Sequence, residues 1–170
     1  MKVFVYMLLW VSLSLSAFAQ KKPDCKFDVD KTDATSGEPI RKIKTKLNGT
    51  DIFYIIISRK DTAYTLSLDF WIPGTLKDVI NKKDAVTIKL SGWQNLVLYN
   101  SQLVKPAMHY DDQTWTQYIP EFPIRAADLE RIKNLKPLTL TMKVGIEVVF
   151  REFIEKDVEK IIDIIKCITK

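Results

Sequence analysis

A single pair of cysteines constrains the fold of this chain more strongly than any other sequence feature. Cys25 lies near one end of the chain and Cys167 near the other, and the 170 residues contain no third cysteine. Two such residues pair in an oxidising compartment, and their spacing matches no metal-binding or redox motif. A Cys25–Cys167 disulfide closes a loop of about 140 residues, so the two ends of the domain would have to meet. Two free thiols are the alternative.

The first 19 residues predict export. Lys2 is followed by an apolar run from Val3 to Leu15, and the small residues between Ser16 and Ala19 form a cleavage site. The run is shorter than the roughly 20 residues that cross a bilayer, so we interpret residues 1–19 as a signal peptide and not as an anchor. Residues 20–170 are then long enough for a single periplasmic or secreted domain, with no further membrane span.

Charge and composition exclude several classes of function. The chain has 26 Lys and Arg against 21 Asp and Glu, and loss of Lys2 with the signal peptide lowers the net charge from +5 to +4. Nucleic-acid-binding proteins concentrate a larger basic excess in one stripe, so we expect no nucleic acid partner. The five glycines form no phosphate-binding loop, and no residues have the spacing of a metal site. We therefore expect no cofactor and no metal.

Alternation of apolar and polar residues predicts a mostly antiparallel sheet. Ile52 to Ile57 is apolar without alternation, which predicts a central strand with both faces covered. Asn48-Gly49 and Pro73-Gly74 are turn signals. The alternate positions from Thr65 to Trp71 are predicted to form a long solvent-exposed face. Apolar and polar residues alternate, as in a strand with one buried face, in residues 41–47, 64–72, 86–90 and 138–144.

Two helices are predicted in the C-terminal half of the chain. Pro123 precedes a short helix from Ala126 to Asn134, and the segment from Ile146 to Ile154 fits a helix or a strand, with its β-branched residues favouring a strand. Cys167 lies about 140° from the apolar stripe of the last helix, so we expect it to face outward or sideways, where the N-terminal arm could reach it. That helix, from Glu155 to Lys170, is amphipathic, and its stripe consists of Val158, Ile161, Ile162, Ile165 and Ile168.

These elements predict an α+β fold. We expect a curved antiparallel β-meander with the C-terminal helix packed on one face and one short helix before the last strands. A β-sandwich with a peripheral helix is the alternative.

The order of features along the chain resembles that of small exported proteins of uncharacterised function from Bacteroidetes-type bacteria. The resemblance covers most of the mature chain and implies a periplasmic or extracellular bacterial protein. It implies no catalytic residues. The features that carry it are the export signal, Cys25, the strand pair around Asn48-Gly49, the hairpin at Asp84 to Leu90, the helix at Ala126 to Asn134 and the final helix with Cys167.

An aromatic hairpin is the candidate binding surface. Between Pro106 and Pro120, aromatic and hydrogen-bonding side chains are denser than a core strand requires. Exposed aromatic residues often mark binding surfaces, including stacking platforms for sugars and protein hot spots. The alternative is that these rings form a second buried layer of the sheet. We predict a ligand-binding surface formed by His109, Tyr110, Trp115 and Tyr118.

The sequence contains no recognisable catalytic motif. His109 is the only histidine, and neither Ser91 nor Ser101 lies in a nucleophile elbow that could accompany it with Asp111 or Asp112. The chain is therefore predicted to be a non-enzymatic binding module for an envelope or extracellular glycan, lipid or protein, in an oligomeric state that the sequence does not specify.

Three other functions are open at this point. A small-molecule carrier would have a cavity between the sheet and the C-terminal helix, lined by Tyr64, Phe70 and Tyr99. A hydrolase would use His109. A structural component of the envelope would copurify with a partner.

Overall fold

The computed structural model describes residues 25–49, 52–110 and 112–170. The predicted signal peptide, residues 1–19, lies outside this range, as does Asp111. Among the described residues, no helix has the length and apolar character to cross a membrane. The elements are β1 (Val29–Thr32), β2 (Pro39–Lys46), β3 (Phe53–Lys60), β4 (Ala63–Pro73), β5 (Ala85–Leu90), β6 (Gln94–Tyr99), β7 (Ala107–Tyr110), β8 (Thr114–Tyr118), β9 (Glu121–Ile124), α1 (Ala126–Leu135), β10 (Pro137–Val144), β11 (Glu147–Glu152) and α2 (Glu155–Ile168).

Two antiparallel sheets contain the strands of the described residues. The larger, seven-stranded sheet has the order β1-β2-β3-β4-β8-β7, and β9 pairs with the first half of β4 while β8 pairs with its last residues. This sheet is curled like half of a barrel. The smaller sheet has the order β11-β10-β5-β6. The single continuous meander that the sequence predicts is therefore wrong, because the chain leaves the larger sheet after Pro73 and starts a second sheet at β5.

The coarser fold prediction is confirmed. The domain is mostly antiparallel β, with one short helix before the last strands and one C-terminal helix that begins at Glu155. The ambiguous segment after Gly145 is a strand, because β11 pairs with β10 from Glu147 to Glu152. Gly145 occupies the turn of this hairpin with a φ of 58°, a conformation that glycine adopts without strain.

One apolar core lies between the two sheets and the two helices. The space enclosed there measures only about 20 Å³. Small-molecule sites usually have volumes of roughly 300–1,000 Å³, so this enclosed space is too small for the ligand of a carrier. A separate, open groove of about 600 Å³ lies between α2 and the start of β10, with Leu138, Val158 and Ile162 in its lining. The buried side chains around this space include Ile55 and Leu66 of the larger sheet, Ile88 and Leu140 of the smaller sheet, Ile132 of α1, and Ile161 and Ile165 of α2.

Helix α2 is rotated from the orientation that its apolar stripe predicts. Val158 and Ile162 are only half-buried, whereas Asp157 is buried. The Asp157 carboxylate accepts hydrogen bonds from the backbone N–H of Asn48, at 2.8 Å, and from its side-chain amide, at 2.7 Å. This polar contact with the β2–β3 connection turns Asp157 inward. The fully buried face of the helix consists of Asp157, Ile161, Ile164, Ile165, Cys167 and Ile168.

The predicted disulfide is confirmed. Cys25 and Cys167 are bonded, with their Cα atoms 5.5 Å apart. Cys167 faces the N-terminal arm and not the solvent, because it is bonded to Cys25 and only 4% of this residue is exposed. The N-terminal arm that carries Cys25 lies against the core, where Phe27 packs and where β1 pairs with β2. The bridge therefore fixes the arm across the end of α2 and the edge of the larger sheet.

Candidate binding surface

The candidate site lies on the outer face of the larger sheet, the side turned away from the core. Side chains alternate between the two faces of a strand. In β4, Leu68 and Phe70 face the core, so Asp69 and Trp71 face outward. The register places Trp71 opposite Gln117 of β8 and Asp69 opposite Tyr54 of β3. It also places Trp115 opposite His109 of the edge strand β7.

A chain of hydrogen bonds crosses this outer face. Lys44 Nζ donates to Asp69 Oδ2 at 2.7 Å, and Gln117 Nε2 donates to Asp69 Oδ1 at 2.7 Å. His109 Nε2 lies 2.9 Å from Gln117 Oε1. The network connects β2, β4, β8 and β7, and four side chains from distant parts of the sequence hold one another in place.

The network determines the protonation state of the histidine nitrogens. A carboxylate only accepts hydrogen bonds, so the Gln117 amide group must direct its NH₂ toward Asp69 and its oxygen toward His109. His109 Nε2 must then carry the proton that Gln117 Oε1 accepts. In the neutral ring Nδ1 is left as an acceptor. His109 can thus accept a hydrogen bond from a bound ligand.

Aromatic rings accompany the polar network. The His109 ring stacks on Trp71, with centroids 4.2 Å apart and an angle of 21° between the planes. At the other end of the network, Lys44 Nζ lies 3.8 Å from the centroid of the Tyr54 ring. Each end of the network is therefore supported by a ring, and the half-buried Trp115 lies beside the stacked pair.

Part of this face is buried, contrary to the predicted solvent-exposed face of β4. The Asp69 side chain is only 6% exposed, and Ser67 and Ile56 are also buried. Other strands of the sheet place large side chains over these positions, as Lys44 of β2 and Gln117 of β8 do over Asp69. A carboxylate is tolerated in such a place only when it is paired and hydrogen-bonded, as Asp69 is.

The structure brings together two of the four predicted site residues. His109 and Trp115 are neighbours on the outer face. Tyr110 is 70% exposed at the end of the β7–β8 hairpin, and its position in the strand alternates with that of His109, so it belongs to the opposite side of the sheet. Its hydroxyl donates to Met108 Sδ at 3.0 Å.

Tyr118 lies outside the candidate surface. It is fully buried on the core side, where its ring stacks on Phe70 and its hydroxyl donates to the backbone oxygen of Asp78 at 2.8 Å. Burial raises the pKa of the Tyr118 hydroxyl above its ordinary value, and the Asp78 charge adds to this effect. The prediction that Tyr118 is exposed is therefore wrong. Its role is structural.

The residues that connect the site were not among those predicted from the sequence. Asp69, Lys44 and Gln117 form the centre of the network, and Trp71 provides the ring under His109. One signal was present in the sequence: Asp69 is a charged residue enclosed by Leu68 and Phe70 in the longest strand. A carboxylate at such a position needs a partner.

The residues required by the other functional hypotheses are not assembled in the described structure. Ser91 Oγ donates to the backbone oxygen of Leu135, and Ser101 Oγ donates to that of Glu121 at 3.0 Å, so neither serine is paired with His109. For the carrier, Phe70 is buried in the core while Tyr99 is 60% exposed. No group of three or more potential metal ligands occurs among the residues that the structure describes.

A wider cleft of about 640 Å³ lies at the end of the smaller sheet. Its lining includes Lys83 and Lys143 together with Asp78 and Asp84, and it contains no aromatic ring. Charges of both signs in an open cleft are typical of a solvated surface. The outer face of the larger sheet differs because its charged groups are connected and partly buried.

Comparisons of this chain with protein-family models, with curated proteins and with solved structures give no significant match.

Proposed function

We propose that this protein is an exported, non-enzymatic binding module that recognises a glycan of the cell envelope or the extracellular space through the outer face of its larger sheet. The observation that carries the proposal is the His109–Trp71 stack joined to the Gln117–Asp69–Lys44 network. The disulfide supports an oxidising compartment, as does the sequence of the predicted signal peptide.

A saccharide is the ligand class that fits this surface best. Sugar rings present a C–H face that packs on aromatic rings and hydroxyl groups that both donate and accept hydrogen bonds. The half-buried Trp115 offers a ring, and His109 Nδ1 offers an acceptor beside it. Because the network residues already hold one another, binding would require little ordering of side chains.

The polar network and its rings are poorly suited to a lipid surface, although Lys42 and Lys46 of β2 also lie on this face. Lys44 is paired with Asp69, so the network has no excess of positive charge with which to attract anionic head groups. The aromatic rings are half-buried between polar side chains and form no broad apolar patch.

The test uses the purified residues 20–170 with the disulfide intact. Isothermal titration calorimetry against neutral and acidic oligosaccharides should find a ligand, and Trp115→Ala and His109→Ala should each lower its affinity at least tenfold. Trp93→Ala is the matched control, because Trp93 is 90% exposed in the turn between β5 and β6, on the other sheet. The affinity of the Trp93→Ala variant for the oligosaccharide should equal that of the wild type.

Two results would contradict the proposal. One is wild-type affinity for the oligosaccharide in both the Trp115 and the His109 variants. The other is binding to phospholipid vesicles or to an isolated envelope protein with no binding to any oligosaccharide.

A further inference from the structure

The two edges of the smaller sheet differ. At the β6 edge, the chain beyond Tyr99 bonds to β9: Ser101 N–H donates to the Glu121 oxygen at 2.9 Å, and Glu121 N–H donates to Asn100 Oδ1 at 3.2 Å. At the opposite edge, β11 pairs with β10 and with no other strand of the described residues. One edge is thus connected to the larger sheet, and the other is open.

Strand β11 is longer and more regular than the edge strands of the larger sheet, although Glu147, Arg151 and Glu152 carry charge. The edge strands of the larger sheet, β1 and β7, have four residues each, whereas β11 has six in regular register with β10. β11 contains no proline, lysine or bulge, which are common means of blocking strand addition. Its side chains Val148 and Phe150 are 56% and 60% exposed. An open edge of this kind is a template for another strand.

The hydrogen bonds of β11 identify the groups available at the free edge. Phe153 N–H donates to the Leu138 oxygen, at 2.9 Å. In an antiparallel pair the residues that bond to one neighbour alternate with those that face away. Glu147, Val149 and Arg151 therefore bond toward β10. The N–H and C=O groups of Val148 and Phe150 point to the free edge.

We propose that β11 pairs with β11 of a second copy of this chain, antiparallel and centred on Val149, to form a continuous eight-stranded sheet across a twofold axis. In this register Val148 lies opposite the partner's Phe150, and the two such pairs form four backbone hydrogen bonds. Val149 lies opposite the partner's Val149 on the axis. Glu147 lies opposite the partner's Arg151, so the strand is complementary to itself in charge.

Other antiparallel registers are less favourable. If the partner strand slipped by one residue, so that Val149 lay opposite the partner's Phe150, side chains that face inward would lie beside side chains that face outward. A shift that centres the pair on Phe150 would oppose Val148 to the partner's Glu152 and would remove both ion pairs.

A groove beside β11 provides space for a side chain of the added strand. It has a volume of about 190 Å³ and is lined by Phe53, Trp71 and Ile72 of the larger sheet and by Val149 of β11. Val149 faces the core side of its sheet, so the partner's Val149 would also point toward this side. The groove would therefore receive an apolar side chain from the second copy.

Sedimentation velocity of residues 20–170 over a range of concentrations should show a reversible monomer–dimer equilibrium. Val149→Cys should form an interchain disulfide on mild oxidation, because the two side chains meet on the axis. Val148→Cys is the matched control, since its partner in the proposed register is Phe150, and it should remain uncrosslinked.

Two further variants test the contacts separately. Val148→Pro removes a free-edge N–H without removing a hydrogen bond to β10, and it should yield a monomer with the far-ultraviolet circular dichroism of the wild type. Glu147→Arg places like charges opposite each other, and it should weaken the dimer at least tenfold whether or not the proline variant folds.

Several outcomes would overturn the proposal. Wild-type protein that stays monomeric up to about 1 mM, roughly the weak limit of specific association, would leave the edge to an extended peptide of another protein. Crosslinking of the Val148→Cys variant but not of the Val149→Cys variant would show a different register. A dimer of unchanged affinity after Glu147→Arg would place the contact elsewhere. The glycan proposal is independent of these results.

Discussion

The outer faces of the two sheets differ in the hydrogen bonds that their side chains make. On the larger sheet, the face has a buried carboxylate, Asp69, with hydrogen bonds from side chains of β2 and β8. On the smaller sheet, a row of side chains crosses all four strands, and the structure shows no side-chain hydrogen bonds within this row in the residues that it describes. That row is Phe150, Thr141, Thr87 and Val97.

This difference separates two kinds of molecular recognition. A connected polar network with supporting rings holds its groups in fixed directions, which favours a ligand with specific hydroxyl positions. A face with exposed apolar side chains and an open strand edge favours backbone pairing with another protein chain. The two proposals therefore use different faces of the molecule, although Trp71 contributes to both the glycan surface and the groove beside β11.

Loss of the disulfide should have the largest effect, and it should affect the larger sheet first. Cys25→Ser with Cys167→Ser should lower the free energy of unfolding by about 4–5 kcal/mol, because the bridge closes a long loop. Urea denaturation measures the loss. Hydrogen exchange should show β1, β2 and α2 losing protection before β5 and β10, since the arm and α2 contact the larger sheet. An unchanged denaturation midpoint would show that the bridge contributes nothing to stability.

Truncation of Asp69 should have the next largest effect. Asp69→Ala leaves the Lys44 ammonium and the Gln117 amide without their shared acceptor, so it should destabilise the protein by about 2–3 kcal/mol. Thr87→Ala, at an outward position of the smaller sheet, is the control and should cost about 0.5 kcal/mol or less. Equal losses in urea denaturation for the two variants would remove the distinction between the faces.

Removal of the histidine ring should have a smaller effect. His109→Ala loses the stack on Trp71 and the hydrogen bond to Gln117, which together should contribute about 1 kcal/mol. Lys89→Ala removes an exposed cation–π contact with Trp93 on the smaller sheet and should cost about 0.5 kcal/mol or less. Tryptophan fluorescence should change for His109→Ala in the folded protein. An emission spectrum identical to that of the wild type would argue against the stack in solution.

Polar substitution on the smaller sheet should have the smallest effect on stability. Phe150→Thr should change the free energy of unfolding by no more than about 0.5 kcal/mol, because 60% of the residue is already exposed. The melting temperature checks this, and sedimentation velocity of the same variant should show weaker self-association. A large destabilisation would mean that Phe150 belongs to the core of the monomer.

The regular elements could be predicted from the sequence because each has a local pattern. The β-branched residues after Gly145 indicate the strand that the structure shows, and this strand places the start of the last helix at Glu155 although its apolar spacing could extend back to Ile146. The unbroken apolar run before Ser58 predicted coverage of both faces, and Ile55, Ile56 and Ile57 are all buried. Such patterns depend on neighbours within a few residues.

The site could not be predicted in full because it depends on pairing between distant strands. Lys44 and Gln117 lie 25 and 48 residues from Asp69, and only the register of β2, β4 and β8 brings them together. Strand β8 has an aromatic and a polar residue on each face, so hydrophobicity did not decide whether Tyr118 or Trp115 faces the core. The rotation of α2 likewise depends on a distant residue, Asn48.

The disulfide makes the folded domain a covalent circle. The bonded residues are 142 positions apart, and all the described strands and α1 lie between them. A protease that cuts one peptide bond in an exposed turn, such as that at Gly92 and Trp93, would open the circle without releasing a fragment. Such damage would create new chain ends while leaving the two sheets tethered to each other.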